Sequence, residues 1–306
     1  MKLHSFQYFV AVAEELHFGR AAARLQITQP ALSRQIHRLE SELGIELLRR
    51  TKRTVELTEA GTAFLGEIRK ALQQVDAAVQ TAQRVARGEV GSLRIGFTAS
   101  SMHTVLPEIL RCFRDRYPDV TLAMTEICTL DQVNRLQADK IDVGFLHPPV
   151  DASFLAMHTL PGERLLAVLP HNHALATQTQ LPLESLATES FILHPRHEGP
   201  VLYDQFLHLC RKAGFEPQIV YEDPQYQTRL GLVVAGMGVT FVPESLQQSN
   251  LIGATYHALK GESLELQLAV AWRQHQISPV VQRFLNIVEQ LEPQSKALAP
   301  LNEPRA

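Results

Sequence analysis

Side chains able to do chemistry fall in three places along this chain, and none of the three is a catalytic set. In Thr28 to Gly44, TQPALSRQIHRLESELG, the residues Gln29, Ser33, Arg34, His37 and Arg38 recur at helical spacing, with Glu40, Ser41 and Glu42 diluting the positive charge further on. Amide, hydroxyl and guanidinium groups on one helix face can bond base edges and phosphates, although a merely solvated face has the same make-up. In Leu47 to Leu57, Arg49, Arg50, Lys52 and Arg53 crowd into five residues, a charge density suited to a phosphate backbone or to an ordinary solvated loop. Thr98, Ser100, Ser101 and Thr129 stand just ahead of two helical patterns, where hydroxyls either cap the helix or join its free N–H groups in holding a carboxylate. Other candidates are weaker. His171 with His173 and His194 with His197 lack the clustered Cys or carboxylate that would complete a metal site, and Cys128 lacks a resolving partner or stabilising cation. Gly236, Met237 and Gly238 lack the Lys and Ser/Thr of a phosphate loop, and no nucleophile, base and orienter trio can be assembled, so an enzyme is not expected.

Each group needs an element to position it. Leu32, Ile36, Leu39 and Leu43 line the opposite face of the first stretch, Thr28 is a suitable N-cap, Pro30 fits the first turn and Gly44 supplies a left-handed stop. Upstream, Phe6, Phe9, Val10 and Ala13 define an amphipathic helix, and Gly19 to Leu25 a short second one whose Ala21, Ala22 and Ala23 permit close approach. With the turn Gln26 to Thr28, this is a helix-turn-helix arrangement followed by a basic hairpin, or wing. From Thr58 a long helix carries Leu65, Ile68, Leu72, Val75, Val79, Ala82 and Ala86 at alternating spacings of 3 and 4, a narrow seam that predicts pairing with a second helix. Gly88 and Gly91 end it.

Beyond Gly91 the texture is α/β. Leu93 to Phe97, a helix through Leu106, Ile109, Leu110 and Phe113, and Val120 to Ile127 make a βαβ unit. Thr129 to Gln132 reads as a T-x-x-Q capping box, and Ile141 to Leu146 as a buried strand ended by His147, Pro148 and Pro149. Strands are also expected at 165–169, 191–194, 218–221, 239–242 and 266–272, and helices near 201–213, 226–235 and 278–291. With three prolines, Pro293 to Ala306 reads as a disordered tail.

The 306 residues suffice for two or three domains, and the net charge of -3 is unevenly spread. Residues 1–58 hold 9 Lys/Arg against 6 Asp/Glu, whereas the remainder holds 20 against 26. A basic module on an acidic body fits nucleic-acid binding confined to one end. Cys112, Cys128 and Cys210 are scattered and odd in number, so they predict buried thiols, not a disulfide framework or a zinc site. Neither a signal peptide nor a membrane span is recognisable, so a cytoplasmic protein is expected.

The joint order of the AAARL helix, the QPALSRQI helix, the ELG stop, the LLRRTKR wing and the LTEAG start of the long helix resembles LysR-type transcriptional regulators over the whole N-terminal third. The body, in LRIGFTASS, IDVGFLHPP and YEDPQYQTRLGLVVAGMGVTFVPES, is most similar to the acetoin-type and benzoate/muconate-type members. This resemblance implies an all-α winged helix-turn-helix (1–58), a linker dimerisation helix (59–90) and an α/β effector domain of two Rossmann-like lobes resembling periplasmic binding proteins (91–292). Lobe I would span about 91–162 and 268–292, and lobe II about 163–267. Contacts to double-stranded DNA are expected from Thr28, Gln29, Pro30, Ser33, Arg34, Arg38, Arg50, Lys52 and Arg53. A small carboxylate effector, with no cofactor or metal, is expected to meet Thr98, Ser100, Ser101, Thr129, His147 and Tyr203. His147 and Pro161 stand where the benzoate and muconate regulators carry arginines, which departs from their charge network. The resemblance further implies a homodimer or homotetramer on a promoter with an imperfect inverted repeat, and contact with RNA polymerase in an activator. An architectural DNA binder without ligand and an enzyme fused to a DNA-binding domain remain the alternatives, and the direction of regulation is left open.

Overall fold

The computed structural model describes residues 3–51, 54–261, 264–275 and 277–295. It divides after Arg84 into two compact units. In the first, α1 (Leu3–Glu15), α2 (Phe18–Arg24) and α3 (Gln29–Leu43) enclose Phe9, Val12, Ala21, Leu32, Ile36 and Leu39. Full burial of each large apolar side chain contributes roughly 1.5–3 kcal/mol, which explains why the 3.6-residue pattern was a good guide. Ala21 and Ala22 are buried as expected, but Ala23 is exposed. Thr28 is the N-cap residue of α3 yet makes no side-chain capping bond, while Gly44 closes the helix in the left-handed region at φ 72°. The wing is an antiparallel pair, β1 (Leu48–Arg50) with β2 (Val55–Leu57), in register Leu48 to Leu57. Lys52 and Arg53 lie outside the described residues.

Next comes α4 (Glu59–Ala86), and its seam is divided in use. Ile68 is buried and Leu65 half-buried in the winged-helix core, whereas Val75, Val79, Ala82 and Ala86 are exposed on this chain. The expectation of one uninterrupted pairing seam from Leu65 is thereby corrected, because its first turns already have a partner within the chain.

In the second unit, β3 (Gly91–Phe97) leads through the short α5 (Ala99–His103) and α6 (Leu106–Arg116) to β4 (Val120–Glu126), then α7 (Thr129–Gln137) and β5 (Val143–Leu146). Strands β4, β3 and β5 are parallel neighbours, so the turns that follow all three open at the same edge. The next strand, β6 (Leu155–Pro170), runs 16 residues through both lobes. Only its second half was recognised from sequence, since Pro161 and Gly162 interrupt the apolar pattern. Lobe II adds β7 (Gln180–Leu181), β8 (Ser190–Leu193), α8 (Pro200–Lys212), β9 (Gln218–Glu222), α9 (Tyr226–Val234), β10 (Thr240–Pro243) and β11 (Ala254–Leu259). Then β12 (Glu265–Arg273) returns antiparallel between β5 and β6, and α10 (Pro279–Ser295) packs Val281, Phe284 and Val288 into the lobe I core with α6. The register of β12 against β6 slips between Leu266 and Leu268, a bulge placed where both strands pass from one lobe to the other. A tail beginning at Pro293 is corrected in part: α10 continues to Ser295, and 296–306 lie outside the described residues.

Candidate functional site

On the winged helix, Gln29, Pro30, Arg34, His37 and Arg38 are exposed along α3 and Ser33 is half-buried. Arg38 pairs with Glu42 at 2.8 Å, an exposed i,i+4 pair that is weak enough to exchange for a phosphate. Glu40 does not dilute this face. Its carboxylate is buried and accepts from the backbone N–H groups of Leu47 and Leu48, both at 3.0 Å, and from Nη2 of Arg50 at 2.7 Å. The guanidinium of Arg50 also lies 4.8 Å from the Phe18 ring centroid. Arg50 is therefore corrected from a phosphate contact to a brace between wing and α3. Strand alternation explains the difference: Leu48 and Arg50 turn inward and Arg49 outward, so of the two arginines on β1 it is Arg49, part of the basic run but not among the expected contacts, that is exposed.

The second polar group lies where the parallel strands of lobe I end. Thr98 follows β3, Thr129 lies just past β4 and His147 follows β5, and the crevice outside the carboxyl ends of parallel strands is where open α/β sheets hold ligands. A cavity of about 640 Å³ opens there between the lobes. Thr98, Ser100, Thr129 and His147 line it from lobe I, and His194, Tyr203 and Arg229 from lobe II. Nδ1 of His147 lies 2.6 Å from the Gln267 carbonyl, which can only accept, so the ring proton is on Nδ1. Nε2 then accepts from the Ser100 hydroxyl at 2.8 Å, while Oγ of Thr98 lies 3.1 Å from that of Ser100. Burial holds His147 below the ordinary histidine value, against the opposing Gln267 bond, and the ring is neutral near pH 7. Oγ1 of Thr129 accepts from the backbone N–H of His147 at 3.1 Å, which leaves the threonine proton for another acceptor.

Two expectations change here. Ser101 is fully buried and its hydroxyl donates to the Thr98 carbonyl at 2.7 Å; it does not line the cavity. The capping box at Thr129 does not form, because Cys128 is the N-cap residue of α7. Gln132 is instead buried, its amide donating to the Ile127 and Phe145 carbonyls and holding the ends of β4 and β5 together. Tyr203 does face the cavity, and its hydroxyl donates to Glu222 at 2.9 Å. Sequence reasoning weighed His194 only as a weak metal ligand beside His197, and it missed Arg229. His194 follows β8 as His147 follows β5, a parallel that could have found it, whereas nothing in the spacing marks Arg229.

Residues 3–62 match the family model described as a bacterial regulatory helix-turn-helix protein of the lysR family, and residues 86–292 match the LysR substrate binding domain. The chain belongs to the LysR family of transcriptional regulators. It is 42% identical over 287 residues to the HTH-type transcriptional regulator AlsR of Bacillus subtilis, covering 94% of this chain and 95% of that one. To the HTH-type transcriptional regulator CatR of Pseudomonas putida it is 37% identical over 290 residues, covering 95% and 99%. Among solved structures, the LysR family regulator CbnR aligns with a TM-score of 0.84 at 29% identity, covering 94% of this chain and all of that one. CbnR complexed with its target DNA aligns at 0.81 and 28% identity, covering 95% and 99%. This LysR-type protein is thus a DNA-binding transcriptional regulator with an effector-binding domain, and not an enzyme. No helix among the described residues is long and apolar enough to cross a membrane.

Proposed function

We propose that this regulator reads promoter DNA through α3 and the wing as a dimer or higher oligomer, under the control of a small organic carboxylate held between its lobes. The observation that carries the effector reading is the crevice itself: three hydroxyls and a neutral imidazole converge at the carboxyl edge of lobe I on a cavity of about 640 Å³. Thr129 and the first-turn N–H groups of α7 supply donors to a carboxylate, and the helix dipole favours negative charge there. Ser100 adds a donor once its bond to His147 is released, and Tyr203 bounds the ligand from lobe II. The other DNA contacts on this reading are Thr28 and Pro30 at the start of α3, with Lys52 and Arg53, which follow β1 in sequence. A ligand regulates only if it binds one lobe arrangement better than another, since equal affinity for both shifts no population. Calorimetry with acetate, muconate and benzoate tests this, using wild type and Ser100→Ala combined with Thr129→Val. The double variant is expected to bind any active carboxylate at least about ten-fold more weakly, roughly 1.4 kcal/mol; binding as tight as wild type would put the site elsewhere.

A further inference from the structure

Arginines elsewhere in this chain meet carboxylates as they leave water. Arg94 bonds Asp142 and Asp139, Arg273 pairs with Asp139, Arg164 with Glu244, and Arg50 with Glu40. Arg229, on the first turn of α9, is more deeply buried than any of these at 3% exposure, yet no ion pair joins it to a carboxylate among the described residues. Its guanidinium carbon lies 4.6 Å from the Tyr226 ring centroid and its fork also interacts with the Tyr226 hydroxyl, Nη1 reaches the Phe241 carbonyl only at 3.4 Å, and the buried Nε has no acceptor. Asp223 acts on it from a distance, with one carboxylate oxygen accepting from the Gln225 N–H. A buried guanidinium with unfilled donors costs stability, and one that lines a ligand cavity has a place for the missing acceptor.

We propose that Arg229 is an anion subsite on the lobe II wall of the cleft, pairing with a negatively charged group of the effector. This rests on the cleft being the effector site. The subsite is distinct from the lobe I hydroxyls: its donors are a planar fork suited to two oxygens of one carboxylate, held against Tyr226 so that little side-chain freedom is lost on binding. An effector engaging both walls would tie the lobes through its own atoms.

Thermal unfolding of the full chain tests the assignment, with benzoate, succinate and muconate as probes and benzamide as the uncharged counterpart of benzoate. Wild type is expected to gain stability with at least one carboxylate, and benzamide to give less than benzoate. Arg229→Leu is expected to melt roughly 2–4 °C higher than wild type without ligand, because it removes an unpaired buried charge, and to lose the carboxylate gain. A lower melting point together with a full carboxylate gain would show the arginine to be structural. If Arg229→Leu keeps the gain while Ser100→Ala with Thr129→Val loses it, the cleft stands and the Arg229 subsite falls. If no carboxylate shifts wild type, the carboxylate effector and the subsite fall together. Should Arg229→Leu fail to fold, Arg229→Lys is expected to retain part of the gain and Arg229→Gln none, and equal gains in both would overturn the proposal.

Discussion

His147 sits between the Gln267 carbonyl, which can only accept, and the Ser100 hydroxyl, which donates to its other ring nitrogen. With Nδ1–H committed to the Gln267 carbonyl, Nε2 must accept from Ser100, and the serine proton then points away from any ligand. A carboxylate that takes the Ser100 proton leaves Nε2 without a donor unless the ring picks up a proton and donates to Oγ itself. Effector binding should therefore take up a proton at His147, and its affinity should rise as pH falls through the window between the free and bound pKa values. The free protein has the opposite sign. Burial lowers both His147 and His194 below their ordinary value of 6.5, so the unfolded chain takes up protons first on acidification. Their stabilising contribution is present above about pH 6.5 and is lost as pH falls through the folded values. Without effector the melting temperature should drop between pH 7 and 5, while the effector-induced increment grows. Calorimetry in two buffers of different ionisation enthalpy measures the uptake, which His147→Gln should abolish; zero uptake in wild type would remove the relay. At the DNA face, Gln29→Ala or Arg34→Ala should relax specificity by roughly 1–3 kcal/mol per lost bidentate contact. Arg49→Ala should instead weaken all sequences alike and reduce the salt slope by about one. Binding assays over several salt concentrations separate these outcomes, and unchanged site preference in both α3 variants would count against the docking mode.

Two junctions decide how the recognition elements are held. Thr58 caps the start of α4, its hydroxyl donating to the Glu46 carbonyl at 2.8 Å and accepting from the Gly61 N–H at 2.8 Å. Gly61 packs so closely on β1's approach that a Cβ would lie 2.0 Å from the Leu47 carbonyl oxygen, which gives the glycine of LTEAG a steric reason. Gly61→Ala should cost about 1–3 kcal/mol in denaturant unfolding. Glu40→Ala, which strands two buried N–H groups and the Arg50 guanidinium, should cost about 3 kcal/mol; a loss under 1 kcal/mol would show that water replaces the carboxylate. These junctions also mark what was legible in the sequence. Helices and strands with one wet face announced themselves by period, and the hydroxyls that line the crevice by their places just ahead of two helical patterns. Charged residues that turn inward did not: Glu40 and Arg50 look like surface charges until their partners, distant in sequence, are brought together. Gln132 resembled a cap because its i+3 spacing from Thr129 is the same whether the side chain turns back along the helix or into the sheet. Arg229 was hidden for a related reason, since burial without a carboxylate leaves no complementary charge to find.

Considered as a molecule, this regulator carries more apolar surface along α4 than one chain can cover. Leu65 and Ile68 belong to the winged-helix core, Leu72 is half-buried, and Val75 and Val79 are exposed to 37% and 51%. Ala82 continues the same stripe with a side chain small enough for close helix approach. Heptad spacing keeps these residues on one line, so the partner they fit is a second straight helix of the same kind. Two copies paired here would present two α3 helices related by a two-fold axis, and the half-sites should form an imperfect inverted repeat about one helical turn, or roughly 34 Å, apart. Leu72→Asp with Val75→Asp places four carboxylates in a dimer seam and should shift the protein toward monomer in sedimentation. Leu65→Asp should do something different, destabilising the winged helix because that residue packs within its own chain. On a full operator the seam variant should bind with the affinity of a single half-site and lose the dependence on half-site spacing. If the double variant sediments as wild type and still discriminates operators whose half-sites differ in spacing, the stripe is covered by something other than a second α4, and the pairing of DNA-binding units must be sought on the body.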